Sequence, residues 1–208
     1  MFVKLLNIKL VVNIYIILIN IMSKIGNKKI KILKNINLEI NLNIKIIKIG
    51  SSLGELHEIL LNNIIIICEN DEIYIYYLSE NPLCLKFFGL FRSLIYNMIH
   101  GILNKWSKLL IIDGIGYKFT IENNNLQIFS GFSHNIFIII PNDISISLLS
   151  QSRILINGIN KSKVGLFAAK IKGIKKPEPY GGKGIRYNTD VLIKKIGKKE
   201  KKTKKIKK

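Results

Sequence analysis

Fourteen consecutive positions, 174 to 187, read Ile-Lys-Lys-Pro-Glu-Pro-Tyr-Gly-Gly-Lys-Gly-Ile-Arg-Tyr and interleave cations, aromatics, prolines and glycines. Pro177 and Pro179 exclude helix and pre-extend the chain. Gly181, Gly182 and Gly184 remove the side chains that would hold a polyanion's backbone at a distance. Lys175, Lys176, Lys183 and Arg186 can then supply charge, and Tyr180 and Tyr187 offer rings for stacking. Lys194 and Lys195 continue the cationic run beyond the segment. Such a stretch suits a partner rich in phosphate.

Other chemistries fail on spacing. Gly182-Lys183-Gly184 superficially matches a nucleotide phosphate loop, but Pro177 stands where that motif needs Gly and Gly184 stands where a magnesium-binding Ser or Thr is required. Gly114-x-Gly116 has no third glycine at the dinucleotide-binding spacing, and Tyr117 continues into a strand, so a tight turn is the better reading. Gly131-Phe132-Ser133-His134 sets a hydroxyl beside an imidazole, yet sequence neighbours rarely form a catalytic pair and no acid partner is indicated; it reads as a structural turn. His57, His100 and His134 stand far apart. Cys68 and Cys84 give neither a disulfide framework nor metal-ligand spacing, and read as small buried or half-buried side chains. The sequence therefore points away from an enzyme, a metal or another cofactor, and a small-molecule substrate.

The charge distribution supports a polyanionic partner. The formal charge of +20 over 208 residues exceeds what solubility requires. Residues 171–208 hold 15 Lys+Arg against 3 acids, residues 1–107 hold 12 against 7, and residues 108–170 hold 6 against 3. More than half of the excess thus follows the aromatic-glycine segment or lies within it. Usage is extreme as well, with 45 Ile and 30 Lys but only 2 Ala and 3 Arg. Ile, Lys and Asn are encoded by A and T, so the source reads as a very AT-rich gene of the organellar kind. The apolar fraction of 48% then reflects codon bias as much as any membrane.

Leu10 to Met22 is apolar except for Asn13, Tyr15 and Asn20, too short and interrupted to span a bilayer comfortably. Neither a secretory cleavage site nor an Arg- and Ser-rich presequence is evident. From Lys29 to Tyr77, short β-branched runs (Leu38 to Ile49, Ile64 to Cys68, Ile73 to Leu78) broken by turn residues such as Glu69-Asn70-Asp71-Glu72 predict antiparallel strands. After Pro82 the period changes to a helix over about Lys86 to Asn104, with a stripe through Phe87, Leu90, Leu94, Met98 and Ile102, or through Leu90, Leu94, Ile95, Met98 and Ile99.

The order then recurs. Strands are predicted at Lys108 to Ile112, Lys118 to Ile121, Leu126 to Phe129, Phe137 to Ile140, Ile144 to Leu149 and Arg153 to Ile156, with Asn123-Asn124-Asn125 as a hairpin turn. A second helix begins at the N-cap Asn160 and stops near Gly173. Phe88-Gly89-Leu90-Phe91 and Val164-Gly165-Leu166-Phe167 align, with Ile95 and Ile171 four residues on, which supports an internal duplication. The predicted fold is α+β: two tandem duplicated small domains, each an antiparallel sheet packed with one main helix, plus a basic tail. The expected boundaries are an N-terminal extension at 1–21, a first domain at 22–106, a second carrying the basic segment at 107–190, and a lysine-rich tail at 191–208.

These motifs also carry a resemblance. Residues 177–187 are similar to the C-terminal pattern of the large-subunit ribosomal protein six family, Pro-Glu-Pro-Tyr-Lys-Gly-Lys-Gly-hydrophobic-Arg-Tyr, with Gly181 in place of the first lysine. Asp113 to Lys118 and Leu126 to His134 resemble two further family motifs, with Asn135 where proline is usual, and Gly158 to Ile171 resembles the helix that precedes the pattern, with Leu166 where Gln is more common. Met22-Ser23-Lys24-Ile25-Gly26 is similar to the start of bacterial members. The resemblance implies a non-enzymatic constituent of the large ribosomal subunit, binding rRNA near the sarcin-ricin loop and the stalk base beside neighbouring ribosomal proteins. The rRNA-binding residues expected are Lys175, Lys176, Tyr180, Lys183, Gly184, Arg186, Tyr187, Lys194 and Lys195. A mitochondrial ribosome is the expected location, a plastid ribosome the alternative. The competing function is a basic peripheral-membrane protein held by its apolar N-terminus and by lysines at anionic headgroups. Tyr180, Tyr187 and the glycines favour RNA, since a lipid-binding lysine cluster has no use for them.

Overall fold

Runs of isoleucine with aromatic neighbours, each ended by Asn, Gly or an acidic pair, favour antiparallel hairpins over any other local structure. The computed structural model describes residues 26, 28–32, 36–41, 45–60, 64–77 and 85–197. The apolar N-terminal stretch, the Met22 start, Pro82, Cys84 and residues 198–208 of the tail lie outside them. The chain divides into two compact units, Met1–Lys105 and Trp106–Lys208.

The first unit contains β1 (Ile30–Lys31), β2 (Asn37–Asn41), β3 (Ile46–Ser51), β4 (Gly54–Ile59), β5 (Ile64–Glu69), β6 (Glu72–Tyr77) and α1 (Leu85–Asn104). Its strands form two antiparallel sheets, β2-β3-β4 and β1-β6-β5. Asn70 and Asp71, at φ 52° and 61°, close the β5–β6 hairpin in the left-handed conformation that a two-residue turn demands. The Leu38 to Ile49 run resolves into two paired strands. Gly-Glu-Leu-His-Glu-Ile of β4, where polar residues alternate with two aliphatics, was not anticipated as a strand. Cys68 is exposed rather than buried, because it sits on an edge strand one residue pair from the turn.

Helix α1 forms over the predicted residues, and the predicted Ile95, Met98, Ile99 and Ile102 are buried, but its first turns bury a different face. Phe88, Phe91, Ile95, Met98, Ile99 and Ile102 are buried, whereas Phe87 and Leu90 are 40% and 49% exposed. The shift is one residue at the N-terminal end, from Phe87 and Leu90 to Phe88 and Phe91, and vanishes by Met98. A helix this apolar offers several stripes of similar quality, so periodicity alone does not choose among them.

The second unit contains β7 (Trp106–Asp113), β8 (Lys118–Glu122), β9 (Asn125–Phe129), β10 (Ile136–Ile139), β11 (Ile144–Ser150), β12 (Arg153–Gly158), α2 (Lys161–Ile174) and β13 (Gly184–Tyr187). Its antiparallel sheets run β10-β9-β8 and β11-β12-β7-β13. Asn123 and Asn124 make the left-handed β8–β9 turn. Asn160 caps α2 as its residue type predicts, its side-chain oxygen accepting from the Ser162 and Lys163 amides at 2.9 and 3.2 Å. Val164, Phe167, Ala168 and Ile171 face a core shared with Leu110, Ile112, Phe119, Leu126, Ile154 and Ile185. Truncating an aromatic such as Phe167 there would cost about 3–5 kcal/mol.

The two helices bury equivalent positions. Phe88, Phe91 and Ile95 correspond to Val164, Phe167 and Ile171, while Leu90 and Leu166 both face outward. Strands split between two sheets with one long helix in each unit make the duplication visible in structure as well as in sequence.

Candidate nucleic-acid interface

The basic segment begins where α2 must end. Pro177 and Pro179 cannot continue a helix, and the chain turns extended at Lys175 (φ −139°, ψ 92°). It then returns along β7 as β13, with Gly184 opposite Asp113 and Tyr187 opposite Leu110. This strand was not anticipated, because its glycine and proline flanks read as irregular extended chain. The intervening loop is tied through its backbone at several points. The Glu178 amide donates to the Lys183 carbonyl at 2.9 Å, the Gly182 amide to the Glu178 carbonyl at 2.9 Å, and the Ile185 amide to the Lys175 carbonyl at 2.8 Å. Downstream, the Lys195 amide donates to the Pro179 carbonyl at 2.8 Å.

Gly184 is buried, at φ +141°, and a Cβ there would fall 2.7 Å from the Lys176 carbonyl oxygen and 2.8 Å from Pro177 Cα. The close approach that this glycine permits is therefore to its own chain; it shapes the loop and presents nothing to a partner.

The remaining predicted residues fall into distinct settings. Lys183, Arg186 and Lys194 line an open cleft of about 410 Å³ with Asp113, Gly114, Ile115 and Gly182. Lys183 and Lys194 are exposed, but Arg186 is half-buried and its Nε donates to Asp113 Oδ2 at 3.0 Å. Lys176 and Tyr187 line a second depression of about 480 Å³ beside Lys172 and Pro177. Tyr180 is exposed at the tip of the loop, and Lys195 is exposed beyond it.

Tyr187 is held from several sides. Lys172 Nζ lies 4.5 Å and Lys108 Nζ 5.7 Å from its ring centre, and its amide donates to Asp190 Oδ2 at 3.2 Å. Lys172 Nζ also donates to Asp190 Oδ2, at 2.7 Å. That hydrogen bond, aided by the Tyr187 amide and opposed by burial, keeps the Asp190 carboxyl below the usual carboxylate range. Tyr187 is thus already packed against cations, which makes it a brace for the segment more than a free stacking face.

Lys175 leads elsewhere. Its ammonium lies 4.8 Å from the centre of the Phe132 ring, on the loop after β9. Sequence reasoning missed Phe132, Asp113, Lys172 and Asp190 as parts of this region. Asp113 and Arg186 are 73 positions apart, and only the β7–β13 register makes them neighbours. Among the described residues no group of His, Cys, Asp and Glu could hold a metal ion, and no helix is long and apolar enough to cross a membrane.

Comparison with known proteins places the chain among ribosomal relatives. Residues 114–188 match the family model described as Ribosomal protein L6. A relative from Chlorobium phaeobacteroides, named Large ribosomal subunit protein uL6, is 38% identical over 144 residues, covering 69% of this chain and 80% of its own. A protein of the same name from Borreliella burgdorferi is 41% identical over 130 residues, 62% of this chain and 72% of its own. Large ribosomal subunit protein uL6c of Guillardia theta is 38% identical over 143 residues, again 69% and 80%.

Proposed function

The chain belongs to the ribosomal protein L6 family, a structural and non-enzymatic family of the large ribosomal subunit, and from that premise we propose that its second unit grips large-subunit rRNA through the loop between α2 and β13. One observation carries the proposal: Lys176, Lys183, Lys194 and Lys195 are exposed on or beside a loop whose backbone is already fixed by hydrogen bonds. Little conformational entropy remains to be lost when phosphate arrives, so each contact keeps most of its worth. Recognition on this reading is by phosphate position and RNA shape more than by base sequence.

The rRNA elements proposed are the sarcin-ricin loop region and the stalk base, supported by the motif resemblance in residues 113–187. The proposed compartment is the mitochondrial ribosome, with a plastid ribosome as the alternative; the support is the AT-driven residue usage. Sedimentation of the tagged protein with ribosomal subunits from isolated organelles tests that placement.

The binding test is a titration of the full chain against a large-subunit rRNA transcript over a salt series. Affinity should fall steeply with salt, because bound lysines release counterions. Salt-independent binding, or flotation with anionic vesicles in place of sedimentation with subunits, would overturn the reading in favour of a lipid surface.

A further inference from the structure

The loop after β9 supports a more specific contact. Phe132 is 44% exposed, which leaves its ring open to a partner. His134 stacks with it, ring centres 6.4 Å apart and planes 27° from parallel, and Lys175 Nζ lies over the Phe132 ring. The group is firmly mounted. Tyr117 packs against two loops at once: a Cβ on Gly114 would fall 2.5 Å from its ring and one on Gly131 2.8 Å. With no side chains in the way, that ring sits against the backbone just before Phe132 and fixes the direction in which the loop projects.

Resting on the rRNA-binding reading above, we propose that Phe132 and His134, with Lys175, form a stacking platform for an unpaired nucleobase of the ribosomal RNA. The chemistry favours a nucleotide over an apolar protein surface. Covering Phe132 with a hydrophobic partner would desolvate the Lys175 ammonium without supplying a counter-charge, which is costly. A nucleotide brings both complements together, a flat π face for the ring and imidazole and a phosphate for the cation. Lys175 also belongs to the basic loop, so an RNA strand gripped there lies one side chain from the platform.

The test compares Phe132→Leu, which keeps apolar bulk but removes the π face, with Phe132→Trp, which keeps it. Binding of each full-length variant to a large-subunit rRNA transcript is measured over a salt series, with melting temperature recorded alongside. Phe132→Leu should weaken binding about tenfold with the salt slope unchanged, since no ion pair is removed, and Phe132→Trp should restore it. Ultraviolet crosslinking of the unmodified chain should attach a nucleotide within residues 131–134. Wild-type affinity in Phe132→Leu, equal weakness in Phe132→Trp, or crosslinks confined to other segments would overturn the platform. A Lys183→Ala loss beside an unaffected Phe132→Leu sinks the platform and spares rRNA binding by the basic loop. Unchanged RNA affinity with failed subunit incorporation would make Phe132 a protein contact instead, and a wild-type chain that ignores the transcript would remove both readings.

Discussion

Arg186 Nε lies 3.0 Å from Asp113 Oδ2, diagonally across the β7–β13 pair, so the arginine of the basic loop is half-neutralised before any partner arrives. Lys183, three positions before it, just ahead of β13, and exposed, has no ion pair among the described residues. Two cations that look equivalent in sequence therefore do different work.

The substitution Lys183→Ala should reduce rRNA affinity by about 1–3 kcal/mol, the range for a well-placed charged hydrogen bond, with unfolding unchanged. Arg186→Ala should lose less affinity and instead destabilise the fold by about 0.5–1 kcal/mol, as expected for a partly exposed pair. Paired urea melts and RNA titrations separate the two. If Arg186→Ala lost as much affinity as Lys183→Ala without shifting the melt, Asp113 would not be restraining it.

Acid should loosen the same region through Asp190. Its folded-state pKa is depressed, first by the Lys172 ammonium and then by the Tyr187 amide. The sign follows directly: the stabilisation is fully present above the unfolded carboxylate value of about 3.9 and disappears as pH falls through the lower folded value. Asp190→Asn should be less stable than wild type near neutrality, and the difference should shrink below about pH 4. Parallel stability–pH curves for the two proteins would show that the Lys172–Asp190 contact contributes nothing.

Much of the fold was legible because the local cues agree. Asn123-Asn124 at a two-residue turn, Asn160 at a helix start and β-branched strand runs each have one favourable outcome. Selection among equivalent faces was not legible: Phe87 and Phe88 are chemically identical neighbours, and only packing buries one at 4% and leaves the other at 40%. In the candidate interface the lysines could be read from charge and spacing. The partners that divide them into free and restrained groups could not. Asp113 reaches Arg186 through strand register, Asp190 joins Lys172 across 18 positions, and Phe132 meets Lys175 from another loop.

The glycines of the loop should also separate by substitution. Gly184→Ala forces a side chain into a left-handed backbone within 2.7 Å of the Lys176 carbonyl oxygen, so a loss of about 1–3 kcal/mol is expected in urea unfolding. Gly181 has no left-handed φ, and the nearest atom to its added Cβ is the flexible Glu178 carboxylate at 3.1 Å. Gly181→Lys should therefore fold normally and strengthen rRNA binding. Comparable destabilisation at both positions would mean that the loop is constrained along its whole length.

The loop and the C-terminal lysines make separable contributions to binding. Residues 198–208 contain eight lysines and one glutamate, so deleting them removes a net charge of +7. Because each displaced counterion adds to the salt dependence, this deletion should flatten the dependence of log K on log salt and weaken binding to every RNA tested. The chemical footprint on the large-subunit transcript should stay where it was. Replacing Lys176 and Lys183 by Ala removes only two charges, but they project from a loop fixed at Glu178, Gly182 and Ile185, and their loss should erase or shift the footprint. Per charge, the loop pair should cost more affinity than the tail. Equal cost per charge, with the footprint unmoved in both variants, would reduce residues 174–187 to part of a diffuse cationic surface and take the positional role away from the α2–β13 loop.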